Sequence, residues 1–154
     1  VIYNYVDNTW SIGTLDRTAW HDAGTFALPV ASNSSGKGFS HENGVNDVSS
    51  ALAASLETGF FSGDENGDNI IMISRIIPDT TFSAGSSVNF SMLSKRYPND
   101  STITKGPFAV TSSTNKLNLR SRGRSFQCKW ESTAVDTSWR LGTWRAEGQA
   151  DGTR

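Results

Sequence analysis

The sequence predicts an all-β chain built around an antiparallel β-sandwich, and its composition gives the first reason. Of 154 residues, 36% are hydrophobic, whereas 22 are Ser, 15 Thr, 11 Asn and 14 Gly. A helical bundle or coiled coil needs far more Ala, Leu, Glu and Lys, while five Trp and eight Phe argue against a disordered chain. The second reason is the alternation of Phe126, Cys128 and Trp130 with polar residues, which is typical of a half-buried strand.

Residues 1–29 begin with two short strand patterns that meet at a turn formed by Asp7 and Asn8. Tyr3 and Tyr5 occupy alternate positions before the turn, and an Asn-Thr-Trp sequence begins the second pattern. This arrangement resembles one strand pair of a kelch-type β-propeller blade. Such blades repeat at intervals of roughly 40–50 residues, and the sequence holds no second copy. We therefore expect a partial, propeller-like strand pair ahead of the sandwich.

A stretch rich in Ser, Asn and Gly follows at 30–48. Such a composition buries little apolar surface, so it predicts a linker or a long surface loop. The sandwich domain is then expected over 49–146, and a C-terminal tail over 147–154.

The sandwich region holds six or seven strand patterns at short spacing, with no sign of parallel crossovers. Residues 49–61 have good helix propensity. A period-two pattern also places five residues on one face, Leu52, Ala54, Leu56, Thr58 and Phe60, and in an all-β chain we expect a strand. Residues 70–77 are apolar on both faces, which indicates a central strand. That longest apolar stretch is interrupted by polar residues, so no membrane span is expected.

The charges are unevenly distributed, although the net charge is −1. Residues 1–94 carry three basic and ten acidic side chains, whereas residues 95–154 carry eleven basic and five acidic ones. The balances are −7 and +6. A dipolar molecule of this kind often stacks against copies of itself or against neighbours of opposite sign.

Arg120, Arg122 and Arg124 recur at period two, which places them on one face of an extended segment. Like charges in a row repel one another unless they meet acids, phosphates or carbonyls. They could bind acids of their own domain or of a neighbouring subunit, and direct binding of nucleic acid is the alternative. At a subunit interface, the acidic partners would be residues such as Asp64 and Asp68.

The residue types that carry catalysis are few and poorly placed. His21 and His41 each adjoin a carboxylate, but neither lies near a nucleophile motif such as G-x-S-x-G. The single cysteine, Cys128, lies at an inward strand position, which predicts a buried and inert thiol. A calcium-like loop begins at Asp64, but its twelfth position is Arg75 rather than the required glutamate. We therefore expect no enzyme activity, no metal and no cofactor.

Seven short motifs follow one another along the second part of the chain. They are Ala-Ala-Ser-Leu-Glu-Thr-Gly-Phe-Phe (53–61), Arg-Ile-Ile-Pro-Asp (75–79), Lys-Gly-Pro-Phe (105–108), Val-Thr-Ser-Ser (110–113), Arg-Ser-Arg-Gly-Arg (120–124), Ser-Trp-Arg-Leu-Gly (138–142) and Asp-Gly-Thr-Arg (151–154). Their order and spacing resemble the C-terminal region of structural tail proteins of short-tailed bacteriophages. The propeller-like residues 3–13 fit too, because nozzle-like tail tube proteins of such phages are built on β-propellers.

The resemblance implies a non-enzymatic structural component of the phage tail, of the nozzle, tail tube or stabilisation type, located in the virion. Copies would form a sixfold ring around the channel through which genomic DNA leaves, and would contact other tail or portal proteins. Any contact with the DNA would be independent of its sequence. The three arginines at 120–124 would then serve the ring interface.

A carbohydrate-binding β-sandwich that recognises a cell surface is the alternative function. Trp20, Trp139 and Trp144 would be its stacking platforms. Two coplanar, exposed indoles in a groove would favour this alternative over a structural subunit.

Overall fold

Two units make up the fold, Val1–Gly44 and Val45–Arg154, in a computed structural model that describes residues 1–82 and 87–152. Every regular element in these described ranges is a β-strand. All of the strand pairs there are antiparallel. The predicted all-β class is confirmed.

The first unit opens with the expected hairpin. β1 (Ile2–Asn4) pairs with β2 (Thr9–Ser11). Tyr3 lies opposite Trp10, and their ring centroids are 4.5 Å apart. Asn8 adopts a left-handed backbone conformation in the turn, which asparagine tolerates better than most residues do. The strand pair and its turn lie where the sequence predicts them.

A second small sheet of this unit corrects the loop expected over 30–48. β3 (Ala19–His21), β4 (Val30–Ser32) and β5 (Gly38–Ser40) form a three-stranded sheet with β4 in the centre. The Asn33 side chain accepts hydrogen bonds from the N–H groups of Ser35 and Lys37. The polar residues that suggested a linker therefore form the tight turn of a hairpin. The two units divide at Gly44, within the same range.

The second unit contains twelve strands in its described residues. They are β6 (Asn46–Asp47), β7 (Ser50–Ala51), β8 (Ala54–Glu57), β9 (Phe61–Ser62), β10 (Ile71–Ile77), β11 (Thr80–Phe82), β12 (Ser87–Lys95), β13 (Ile103–Thr111), β14 (Leu117–Gly123), β15 (Ser125–Ser132), β16 (Trp139–Leu141) and β17 (Arg145–Ala150). A larger sheet has the order β13-β12-β15-β8, with β9 also paired to β15. A smaller sheet has the order β14-β10-β17, and β11-β16 and β6-β7 are two-stranded ribbons.

The hydrophobic core combines strands of the larger sheet with β10 and β14 of the smaller one, as expected of a sandwich. Phe126, Cys128 and Trp130 of β15 are fully buried, which confirms the alternation predicted from the sequence. The central position predicted for residues 70–77 is also confirmed, because β10 lies between β14 and β17. The buried core consists of Ile73, Ile76, Val88, Phe90, Met92, Val110, Leu117, Leu119, Phe126, Cys128 and Trp130.

Two expectations for the second unit are corrected. The tail expected over 147–154 is largely strand β17, whose backbone pairs with β10 as far as Ala150; residues 153 and 154 lie outside the described residues. Every residue of β17 is exposed, so the strand carries no apolar alternation that a sequence pattern could reveal. Residues 49–61 form three short strands rather than one, and Leu52, Leu56 and Phe60 remain exposed.

Candidate functional site

The arginines at 120–124 lie where β14 ends and turns into β15. Along β14, Leu117, Leu119 and Ser121 are buried, whereas Arg120 is exposed and Arg122 is half-buried. The predicted period-two arrangement is therefore present for Arg120 and Arg122, whereas Arg124 lies in the bend between β14 and β15. Arg120 and Arg122 face away from the core because the alternate positions of this strand fill it.

Arg122 is held by an acid of the same chain. Its Nε forms an ion pair with the Asp151 carboxylate, and its Nη2 donates to the Asp151 carbonyl oxygen at 2.9 Å. A guanidinium group fixed at two points keeps a defined direction. Asp151 belongs to the segment expected to be a tail, so no sequence pattern pointed to this partner.

Arg124 contacts the loop that contains both acids proposed for the interface. Its Nη1 donates to the carbonyl oxygen of Asp68 at 2.7 Å, and its guanidinium carbon lies 5.3 Å from the ring centroid of Tyr97. Asp64 instead accepts hydrogen bonds from the backbone N–H and side-chain amide of Asn69, at 3.1 and 2.8 Å. The Asn69 side chain is the main cause that lowers the pKa of the Asp64 carboxyl. Arg122 thus meets Asp151, and Arg124 meets a carbonyl oxygen of the loop.

A cavity of about 360 Å³ lies beside Arg120 and Arg122. Four of its lining residues are cationic and one is acidic. They are Arg96, Lys105, Arg120 and Arg122, with Asp100 as the acid, and Ser94, Ser101 and Ile103 complete the lining. We call this site the basic cavity.

Three cations of the basic cavity have no ion-pair partner in the described part of the chain. The side chains of Arg96, Lys105 and Arg120 form no hydrogen bond or ion pair with the described residues. Asp100 accepts a hydrogen bond from the backbone N–H of Tyr97 at 3.1 Å. Positive charge therefore exceeds negative charge around the cavity, and an anion is the complementary ligand.

The sequence could have indicated one further residue of this cavity. Ser94 follows Val88, Phe90 and Met92 at inward positions of β12, where a polar side chain is unexpected. It is 1% exposed, and its Oγ has no hydrogen-bond partner in the described residues. The contributions of Arg96 and Lys105 could not be recognised without the strand pairing, because nothing in the local sequence places either residue beside Arg120.

The three tryptophans proposed as sugar platforms have different environments. Trp139 donates from Nε1 to Ser132 Oγ at 2.9 Å, and Trp144 lies 6.4 Å from Phe61 between ring centroids. Both pack against the core. Trp20, in the first unit, is 54% exposed and lines an apolar cavity of about 510 Å³. The structure therefore places one of the three indoles at an open surface.

The one cysteine of the chain, Cys128, is buried. Burial raises the pKa of the Cys128 thiol to about 12, which keeps it protonated. Among residues 1–82 and 87–152, no three His, Cys, Asp or Glu side chains are grouped so that they could hold a metal ion. No helix long and apolar enough to cross a membrane occurs in that part of the chain.

Comparison with known proteins adds no assignment. No protein-family model matches the chain, and no curated protein matches it.

Proposed function

We propose that this chain is a non-enzymatic structural subunit of the tail of a short-tailed bacteriophage. In this proposal, copies assemble head to tail into a ring around the DNA exit channel of the virion and contact other tail or portal proteins. The order of the seven motifs suggests the family. The observation that carries the proposal is an apolar, uncovered edge of the sandwich.

This edge is strand β8, where Leu56 lies directly opposite Trp130 of β15. Residues paired across antiparallel strands share a face of the sheet, so Leu56 faces the same side as the core. Yet Leu56 is 43% exposed, whereas Trp130 is fully buried. The inward face of the larger sheet is therefore buried at β15 but exposed to solvent at β8. Covering Leu56 with another molecule would remove its apolar surface from water, which is favourable.

The opposite edge of the larger sheet has a different character. β13 spans nine residues and pairs only with β12 among the described strands. It carries the exposed cation Lys105, whereas β8 carries the exposed acid Glu57. Two unlike edges of opposite charge favour a contact between one copy's β8 and the next copy's β13. Such a heterologous contact generates rings when the rotation closes.

The first unit also favours assembly with other surfaces. It has few buried residues of its own, and many of its large apolar side chains are in solvent. A unit of about 40 residues rarely forms a sufficient core alone. The exposed residues are Val1, Ile2, Tyr3, Tyr5, Val6, Trp10, Ile12, Leu15, Trp20 and Phe26.

The experiment compares two lysine substitutions on β8 by native mass spectrometry. Leu56→Lys places a charge on the apolar face and should weaken self-association by about tenfold or more. Ser55→Lys is the matched control, because Ser55 lies on the other face, opposite Glu131, and it should assemble as the parent chain does. Unchanged assembly of Leu56→Lys, or equal loss in both variants, would contradict a role for this edge.

A carbohydrate-binding module is the second candidate, and Trp20 is the observation that favours it. An exposed indole beside an apolar cavity can stack on the face of a sugar ring. Retention on a polysaccharide gel that Trp20→Ala abolishes would support this candidate. Equal elution of the parent chain and the variant would count against it.

A further inference from the structure

We propose that the basic cavity of the second unit is a binding site for a phosphate group carried by a small ester such as a nucleotide. The proposal concerns a site within one copy of the chain. Two of its lining residues, Ile103 and Lys105, belong to β13, the edge proposed above to contact the next copy.

The charge around the basic cavity sets the class of ligand. Arg96, Lys105, Arg120 and Arg122 are its four cations. Asp100 on the lining and Asp151, which pairs with Arg122, offset two of these charges. The remaining excess corresponds to two positive charges. A phosphate monoester carries close to two negative charges near neutral pH, so it matches this excess better than a single carboxylate does.

The donor geometry suits oxygen atoms of phosphate. Arginine presents a planar array of N–H donors that binds phosphate oxygens in pairs. Arg122 is already oriented by its ion pair and hydrogen bond with Asp151. Arg120, the neighbouring outward residue of β14, has no such partner among the described residues and remains available to a ligand.

Ser94 supplies an independent indication of a ligand. Ser94 is one of the residues that line the basic cavity. It is 1% exposed, and its Oγ has no partner in the described residues. Buried polar groups in folded proteins are nearly always hydrogen-bonded, and leaving one unsatisfied costs free energy. A phosphate oxygen in the cavity would accept a hydrogen bond from this hydroxyl.

The size of the cavity favours an ester over the free ion. Its volume of about 360 Å³ lies at the lower end of the usual range for small-molecule sites, roughly 300–1,000 Å³. Ile103 contributes an apolar side chain to the lining and is 52% exposed. A nucleoside moiety attached to the phosphate could pack against this side chain.

The test is calorimetric titration of the full chain at low ionic strength, where screening of exposed charges is weak. The probes are thymidine 5′-monophosphate, inorganic phosphate and thymidine. We expect the monophosphate to bind most tightly and thymidine not to bind. Equal affinity for the monophosphate and inorganic phosphate would keep the phosphate site but overturn its assignment to an ester. Binding of none of the three, or of thymidine as tightly as the monophosphate, would overturn the site.

Three variants locate the binding within the chain. Arg120→Gln should weaken binding of the monophosphate by about tenfold, as expected for loss of a charged hydrogen bond. Ser94→Ala should weaken it about threefold or more without loss of thermal stability, because it removes an unsatisfied buried hydroxyl. Arg140→Gln is the control, since Arg140 is exposed on β16 and does not line the cavity. Equal weakening by Arg120→Gln and Arg140→Gln would indicate nonspecific attraction and overturn the proposal.

Discussion

Trp130 and Phe90 pack against each other at the centre of the sandwich, with ring centroids 4.6 Å apart and planes inclined at 49°. They are directly paired between β15 and β12, and both are fully buried. On the other side of Trp130, its cross-strand partner on β8 is Leu56, which is exposed. The three paired residues thus lie on one face of the larger sheet, which is buried at Phe90 and Trp130 and exposed at Leu56. The same face contributes to stability and to the proposed assembly.

Phe90→Ala should destabilise the second unit by about 3–5 kcal/mol, because it removes a buried ring and leaves a cavity against Trp130. Phe60→Ala is the matched control, since Phe60 is 41% exposed and its loss should cost well under half as much. Urea unfolding followed by tryptophan fluorescence measures both. A similar loss of unfolding free energy in the two variants would contradict the placement of Phe90 in the core.

The Cys128 thiol should be unreactive in the folded chain. Its burial raises its pKa to about 12, so the reactive thiolate is scarce at neutral pH and reagents cannot reach it. A thiol-specific chromogenic reagent should label no cysteine at pH 8 and one equivalent in denaturant. Rapid labelling of the folded chain would show that β15 is not covered.

Asp64→Asn should lower stability at neutral pH, and the deficit should disappear in acid. The hydrogen bonds from Asn69 lower the pKa of the Asp64 carboxyl. Because this pKa is lowered, the ionised Asp64 carboxylate stabilises the fold at any pH above the carboxyl's pKa in the unfolded chain, which is about 4. This stabilisation is lost as the pH falls through the lower pKa that Asp64 has in the folded chain. Thermal unfolding of both chains over a pH series measures the difference.

Glu65→Gln is the control for this loop, because it removes a neighbouring carboxylate that makes no hydrogen bond with the described residues. It should not reproduce the pH dependence of Asp64→Asn. A difference between Asp64→Asn and the parent chain that stays constant from neutral to acid pH would refute the role of Asp64 in the loop.

Gly106→Ala should cost about 1–3 kcal/mol, the usual range for a strained backbone position. Gly106 has a φ of 114°, and an added Cβ would lie 2.7 Å from the carbonyl oxygen of Phe90. Gly59→Ala is the control, because its φ is ordinary and an added Cβ would meet nothing within 4 Å. Denaturant unfolding should separate the two variants. Equal midpoints would mean that β13 does not approach β12 closely at this point.

Local patterns predicted those parts of the fold whose signal lies within one strand. Phe126, Cys128 and Trp130 alternate along a single segment, so their burial follows from the two-residue period of a strand. Strand β17 could not be predicted in this way. It is exposed on both faces and owes its strand conformation to hydrogen bonds with β10, more than 60 residues earlier in the chain.

The candidate sites required information that no local pattern contains. Arg120 and Arg122 follow from spacing, but Ser94 and Lys105 join them only through the arrangement of β12, β13 and β14. The exposure of Leu56 depends on how much of the larger sheet is covered. The hydrophobicity of residues 49–61 predicted an inward face, but not whether anything covers that face.

The mass and symmetry of the assembly formed by the full chain test the central claim most directly. Native mass spectrometry combined with electron microscopy should find a closed ring of one fixed copy number, which the resemblance sets at six. An open-ended ladder of oligomers, or a monomer at every concentration tested, would contradict a ring-forming structural subunit.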